Sequence, residues 1–481
     1  MEAQAALCLA LGRHARMAPA ALLLQAIDDI GQGKVDELSL RGVNIGDAGA
    51  QTLCHALRGN ASITSLDLYD ALLGEEGCLA VAQALHEHVR CASLDLGGNR
   101  ISPKAAAALA PLLKAQRPDG TPRDVCAEET SALSEVRALR LASCGLTADA
   151  CAALLSAAGG ELALTTLALP FNAGLGDDPG SGGEALADGV RRAPALGSLT
   201  AQGCALGPLG GAALAAALPN AHALRHLDLS ANALGDDGGR AVAHVLPFCG
   251  LEELLLGSNG LGDRAATSLA HALTRRRRCA LRTLSLRANR IRDGGAAALA
   301  EALGAPRPSG NRSLTSLDLG HNKLGQPGVL ALGDALVANG AVRHLELGGN
   351  ARADADALRA IGTLVAHNRR EGTRDGERGV SAALIEPNAA ASELVRVRVQ
   401  QLYTNAYDVA EGVEDDAAAA GGGARPGAVV AARLAARDAE REKVAAALRS
   451  TQMALERAAL DVGALRSKEA ALDTTLRKLL V

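Results

Sequence analysis

The chain has 481 residues and a formal net charge of −4, and 48% of its residues are hydrophobic. That length exceeds one compact domain and calls for several domains or an extended repeat array. The charge offers no basic field for nucleic acid, and no apolar run of about 18 residues offers a membrane span.

With no Trp, two Phe and three Tyr, the core has to be built from Leu, Val and Ala, and few aromatics remain to anchor a partner. Residues 1–34 open with "MEAQAALCLALGRHARMAPAALLLQ". It is apolar, with Arg13, Arg16 and one acid, Glu2, a composition shared with transit peptides. We read it as two short helices that cap the first end of the array.

From residue 35 to 370 the chain repeats. Strand-like starts fall at Val35 ("VDELSL"), Ile63, Cys91, Val136, Leu164, Leu196, Leu224, Leu251, Leu281, Leu314 and Val342, with a spacing mostly of 28 residues. Within "LRHLDLSANALGDDGGRAVAHVL", Leu224 to Leu246, the apolar spacing switches from every second residue to every third or fourth, which predicts a short strand followed by a helix. One such pair cannot bury its faces alone, so the units must stack.

Each part of the unit has its own physical role. Leu227 and Leu229 are expected to point inward while Asp228 points to the opposite face. Asn99, Asn172, Asn232, Asn259, Asn289, Asn322 and Asn350 then satisfy backbone groups where the chain leaves the strand. Cys144 and Cys204 take that slot in two units, and Val43 and Ala71 in the first two, which weakens the ladder near the N-terminus. Glycine pairs, Gly235 with Gly238 and Gly325 with Gly328, are expected to let the backbone turn tightly into the helix. Leu53 and Leu57, like Leu332 and Leu336, lie four apart on the helix's inner stripe.

Three stretches interrupt the period: "KAQRPDGTPRDVCAEETSALSE" after Leu113, "GDDPGSGG" at 176–183 and "GAPRPSGNRS" at 304–313. Their Pro, Gly and Ser content suits neutral insertions as well as functional loops. "RRRR" at 275–278 falls where a helix ends, where cations complement the helix dipole; no aromatics interleave with it to stack bases. The ten cysteines show no CxxC and no paired His spacing, and read as small buried hydrophobes in a reduced cytosol rather than bridges or zinc ligands.

The outward strand positions form a column of Glu37, Asp67, Asp95, Asp228, Glu253, Asp318 and Glu346, mixed with Arg41, Tyr69, Arg140, His226, Arg287 and His344. The column leans acidic, and a protein partner with a basic surface would match it. These thirteen residues are the candidate binding face.

Residues 371–426 read as a linker around a short helical stretch. After Pro426 the pattern is heptad: Leu434, Val444, Leu448, Leu455, Val462, Leu465, Leu472, Leu476 and Leu479 share one seam, broken by Arg437, Arg441, Thr451 and Glu469, with Ala458 a weak member. In a parallel in-register dimer Arg433 faces Asp438, Asp461 faces Arg466 and Lys468 faces Asp473, all opposite in charge. Residues 427–481 are therefore expected to form a homodimeric coiled coil, against one amphipathic helix that folds back or meets a different partner.

The unit "LxLxxNxLGxxGxxxLxxAL" resembles the ribonuclease-inhibitor-like class of leucine-rich repeat over about residues 35–370. The resemblance implies an α/β right-handed horseshoe of eleven repeats with a parallel sheet on its concave face. The order of modules is similar to centrosomal and ciliary proteins that join this repeat class to a coiled coil, which implies a cytoplasmic, cytoskeletal or ciliary scaffold.

The repeats also resemble Ran GTPase-activating proteins, which place a catalytic arginine in a loop after an early strand. Here that loop holds Tyr69, Asp70 and Ala71, and Arg41 is the nearest substitute. No catalytic, cofactor or metal-binding constellation stands out, so the expectation is a non-enzymatic binding protein without a cofactor.

Overall fold

A computed structural model describes residues 19–350, apart from 34, 59, 61, 87–90, 116–135, 157–160, 275–278 and 306–309, together with Leu358, Ile361, Gly362, Val365, Ala366 and Asn368. The chain divides into two compact units, Met1–Arg396 and Val397–Val481. The whole second unit, with the heptad seam, lies outside the described residues, as do 1–18, the Arg275–Arg278 run and most of the first insertion.

Helix α1 (Pro19–Gly31) precedes eleven strands: β1 (Glu37–Ser39), β2 (Ser65–Asp67), β3 (Ser93–Asp95), β4 (Ala138–Arg140), β5 (Thr166–Ala168), β6 (Ser198–Thr200), β7 (His226–Asp228), β8 (Glu253–Leu255), β9 (Thr283–Ser285), β10 (Ser316–Asp318) and β11 (His344–Glu346). Between them run α2 (Gly46–Leu57), α3 (Glu75–His86), α4 (Pro103–Leu109), α5 (Ala148–Ser156), α6 (Ser181–Arg192), α7 (Gly207–Ala217), α8 (Gly235–Val245), α9 (Asp263–Thr274), α10 (Asp293–Gly304) and α11 (Gln326–Ala338). The strands make one parallel sheet in sequence order, β1 to β11.

Register follows the leucines. Leu38 pairs with Leu66, Leu66 with Leu94, and the same central leucine continues to Leu345. From Leu38 to Leu317 it is buried, while its strand neighbours are mostly half-exposed, so one sheet face belongs to the core and the other is open. Helices about 10 Å wide stacked against strands about 4.8 Å apart bend such a sheet, with the strands inside the curve.

The asparagine slot works as a ladder. Asn232 is fully buried; its Oδ1 accepts from the N–H groups of Cys204 (3.0 Å) and Leu206 (3.3 Å) in the preceding unit, and its Nδ2 donates to the carbonyls of Ala201 (2.7 Å) and Leu229 (2.9 Å). Cys144 and Cys204 keep only the donor half, passing Sγ–H to the carbonyls of Leu96 (3.3 Å) and Leu169 (3.1 Å). A second set, absent from the repeat pattern, holds the helix-to-strand turns. Buried Asn339 donates to the Leu303 and Asn311 carbonyls and accepts from the Ala341 N–H at 2.8 Å, and Asn311 donates to the Leu273 carbonyl at 2.9 Å.

The glycine pairs act differently from the expectation. Gly235 has φ +58° and does make a left-handed turn, but Gly325 has φ −97° and Gly328 lies inside α11. At Gly328 the reason is a neighbour: a Cβ there would sit 2.7 Å from Asp293 Oδ1. The interruption at 176–183 is likewise packed, since a Cβ at Gly176 would run into the Ala205 carbonyl and one at Gly183 into the backbone of Gly210.

Left-handed backbone instead recurs at one place in every unit, three residues after the strand ends: Gly42, Asp70, Gly98, Ser143, Phe171, Gly203, Ala231, Ser258, Ala288, His321 and Gly349. The N–H turned outward there extends the ladder, as in Phe171 to the Gln202 carbonyl (2.7 Å) and Ala288 to the Gly320 carbonyl (2.8 Å). That bond offsets the steric cost of αL for residues with a Cβ.

Candidate functional site: a recess in the open sheet face

Every candidate residue of the sequence column lies on the open face or at its upper edge, because side chains alternate about the buried leucines. The structure sorts them into two groups. Between β3 and β7, outward positions are mostly small and uncharged, including Ala138, Thr166, Ala168, Ser198 and Thr200, with Arg140 the exception.

The first group lines a recess of about 480 Å³ with Arg41, Asp67, Tyr69, Asp95 and Arg140, joined by Ser65, Leu66, Ser93, Ala142, Ala168 and Pro170. The guanidinium carbon of Arg41 lies 3.9 Å from the Tyr69 ring centroid, a cation–π contact. Arg41 Nη1 stands 3.7 Å from Asp67 Oδ2 and 3.6 Å from Asp95 Oδ2. The Tyr69 ring in turn lies over Gly97, where a Cβ would be 2.6 Å from Cδ2, so glycine is what lets the ring lie flat on the wall.

Both carboxylates also close their strands: Asp67 accepts from the Tyr69 N–H at 3.0 Å and Asp95 from the Gly97 N–H at 2.9 Å. Burial pushes the Asp95 carboxyl above the usual carboxylate range, opposed by the Gly97 N–H. Arg140, in register with Asp95, donates to Ser93 Oγ at 3.2 Å, and its charge, like that of Arg41, works against the upward shift of the Asp95 carboxyl. Small uncharged residues such as Ser93, Ala142 and Pro170 give no chemical signal in a sequence, which is why the column of charges omitted them.

The second group spans β7 to β11. His226 Nδ1 lies 3.0 Å from Glu253 Oε2, and Ser285 Oγ donates to Asp318 Oδ2 at 3.5 Å. Asp228 is only 9% exposed and accepts from the Ser230 N–H, so it serves the turn and offers little to a partner. Asp318 and Glu346 accept the same bond from the N–H groups of Gly320 and Gly348, Asp318 staying partly exposed and Glu346 exposed. Arg287 is exposed over Gly320, and Glu37 and His344 are exposed at the two ends of the sheet.

All eight described cysteines are buried and unbridged. Among the described residues no group of His, Cys, Asp and Glu is placed to hold a metal, and no helix is long and apolar enough to cross a membrane.

This periodic strand-and-helix unit defines a leucine-rich repeat protein. A leucine-rich repeat family model matches residues 93–110, 221–243, 279–300 and 310–333. No curated protein sequence matches the chain.

Among solved structures the chain is similar to Rad7 in its yeast complex with Elc1, at 17% identity and TM-score 0.44 over 74% of this chain and 79% of that one. It is also similar to the leucine-rich repeat protein LegL7 from Legionella pneumophila, at 16% and 0.38 over 76% and 96%. An internalin from Listeria monocytogenes str. 4b F2365 matches at 16% and 0.37 over 72% and 91%.

Proposed function

We propose that the protein is a non-enzymatic interaction scaffold of the ribonuclease-inhibitor-like repeat class. Its concave wall grips a protein partner with a basic surface, and residues 427–481 dimerise as a parallel coiled coil that doubles the valency of the wall. The observation that carries this reading is the open face itself: eleven strands present side chains that the core does not use, on one continuous sheet. A cytoskeletal or ciliary location is part of the proposal and rests on the order of modules alone.

Proximity labelling in the source cell, with wild type beside a Glu253→Lys/Asp318→Lys/Glu346→Lys variant, tests it. Neighbours lost in the variant are the expected partners; an unchanged set overturns docking on this face.

The activator reading has a specific residue to test, Arg41. Its guanidinium is engaged by the Tyr69 ring and two carboxylates, an arrangement that favours a structural or binding role over a free catalytic arginine. GTP hydrolysis by a Ran-type GTPase should be unaffected by the protein. Stimulation that disappears in Arg41→Ala would replace the scaffold with an activator.

A further inference from the structure

The wall differs in chemistry along its length. In the recess two guanidinium groups face two carboxylates: Arg41 lies between Asp67 and Asp95, and exposed Arg140, beside Asp95, makes its hydrogen bond to a serine hydroxyl. Beside Arg140 the wall turns apolar and small, with Ala168 on β5, Pro170 just beyond its end and Phe171 57% exposed at the rim. From β8 onward the outward charges lean acidic: Glu253, Asp318 and Glu346 outnumber Arg287. Strands β4 and β8 are four places apart, roughly 19 Å at about 4.8 Å per strand.

We propose that the wall recognises a protein segment of segregated charge, with an acidic side chain seated on Arg140, an uncharged stretch crossing β5 to β7, and basic side chains over β8 to β11. This rests on the concave-docking reading and deepens it. A uniformly basic partner would leave Arg140 opposed by a like charge, while an acidic residue there gains a charge-assisted bond and sets the direction in which the segment lies.

The test uses the full chain and two labelled synthetic peptides read by fluorescence anisotropy at low salt. One carries three glutamates, a twelve-residue Gly-Ser spacer of about 17–21 Å and three lysines. The other replaces the glutamates with serine. The segregated peptide should bind about tenfold tighter, and Arg140→Ala should bring it down to the level of the lysine-only peptide.

Equal binding of the two peptides, or an advantage that survives Arg140→Ala, overturns the proposal. Lysine-only binding that is lost in Asp318→Asn/Glu346→Gln then still upholds docking on the concave face. If neither peptide binds, or binding ignores that acidic pair as well as Arg140, the docking reading falls too.

Discussion

Asp293 Oδ1 accepts hydrogen bonds from the backbone N–H groups of Gly325 at 2.7 Å and Gly328 at 3.0 Å, so a carboxylate in α10 closes the first turn of α11 one repeat later. Asp47 does the same for Gly74 and Gly77, and Asp236 for Gly262 and Ala265. At α3 the longer Glu75 reaches Ser102 Oγ and Lys104 Nζ of the next unit, and those bonds hold its carboxyl below the usual range. The starts of α3, α9 and α11 are thus capped from outside their own repeats, which couples neighbours as well as satisfying orphan donors, whereas α4 is capped by its own Ser102 hydroxyl.

Asp293→Ala is expected to cost about 1–2 kcal/mol, as loss of a cap does, and Asp293→Asn less, since it retains an acceptor oxygen. Gly328→Ala should cost a similar amount, because its Cβ would displace that same oxygen. Urea unfolding of the three variants checks this; a neutral Asp293→Ala refutes the interrepeat cap.

The left-handed column predicts an unusual direction of change. Ala288 has φ +56° and is exposed, so Ala288→Gly should raise stability by up to about 1 kcal/mol, whereas Ala288→Val should lower it by more. Thermal melts measure both, and a loss in the glycine variant would contradict the strain argument.

Asn232 and Cys204 occupy equivalent slots with different satisfaction. Asn232→Ala strands buried groups in two repeats and is expected to cost about 3 kcal/mol or more; Cys204→Ala, which loses one weak donor and a small volume, should cost about half of that. Denaturation midpoints at equal m-value would order the two.

Burial pushes the thiols of Cys54, Cys78 and Cys151 from 9.0 to about 12. A folded pKa above the unfolded one means that the native state holds the proton more tightly. The associated stability is therefore intact below pH 9.0 and drains away between 9.0 and about 12, by roughly 1.4 kcal/mol per unit for each thiol that ionises only on unfolding. Unfolding midpoints should fall steeply across that window, and a thiol reagent at pH 8 should label these three positions only after denaturant is added.

Much of the fold was legible in the chain because its causes are local. Alternation around Leu227, the four-residue spacing of Leu332 and Leu336, and the buried Asn232 all repeat within one unit, and repetition makes weak signals strong. The tertiary structure alone decided what meets across units: the Asp293 carboxylate over Gly328, 35 residues away, and the Arg41 guanidinium on Tyr69 between Asp67 and Asp95.

The same holds for the left-handed residue, which is Gly, Asp, Ser, Phe, Ala or His and so has no side-chain signature. Its backbone N–H bonds to the turn after the next strand, and that bond rather than its own chemistry favours the conformation. A repeat's sequence specifies which face goes inward; stacking brings residues a period apart to within bonding distance, and only there do caps, ladders and the recess take form.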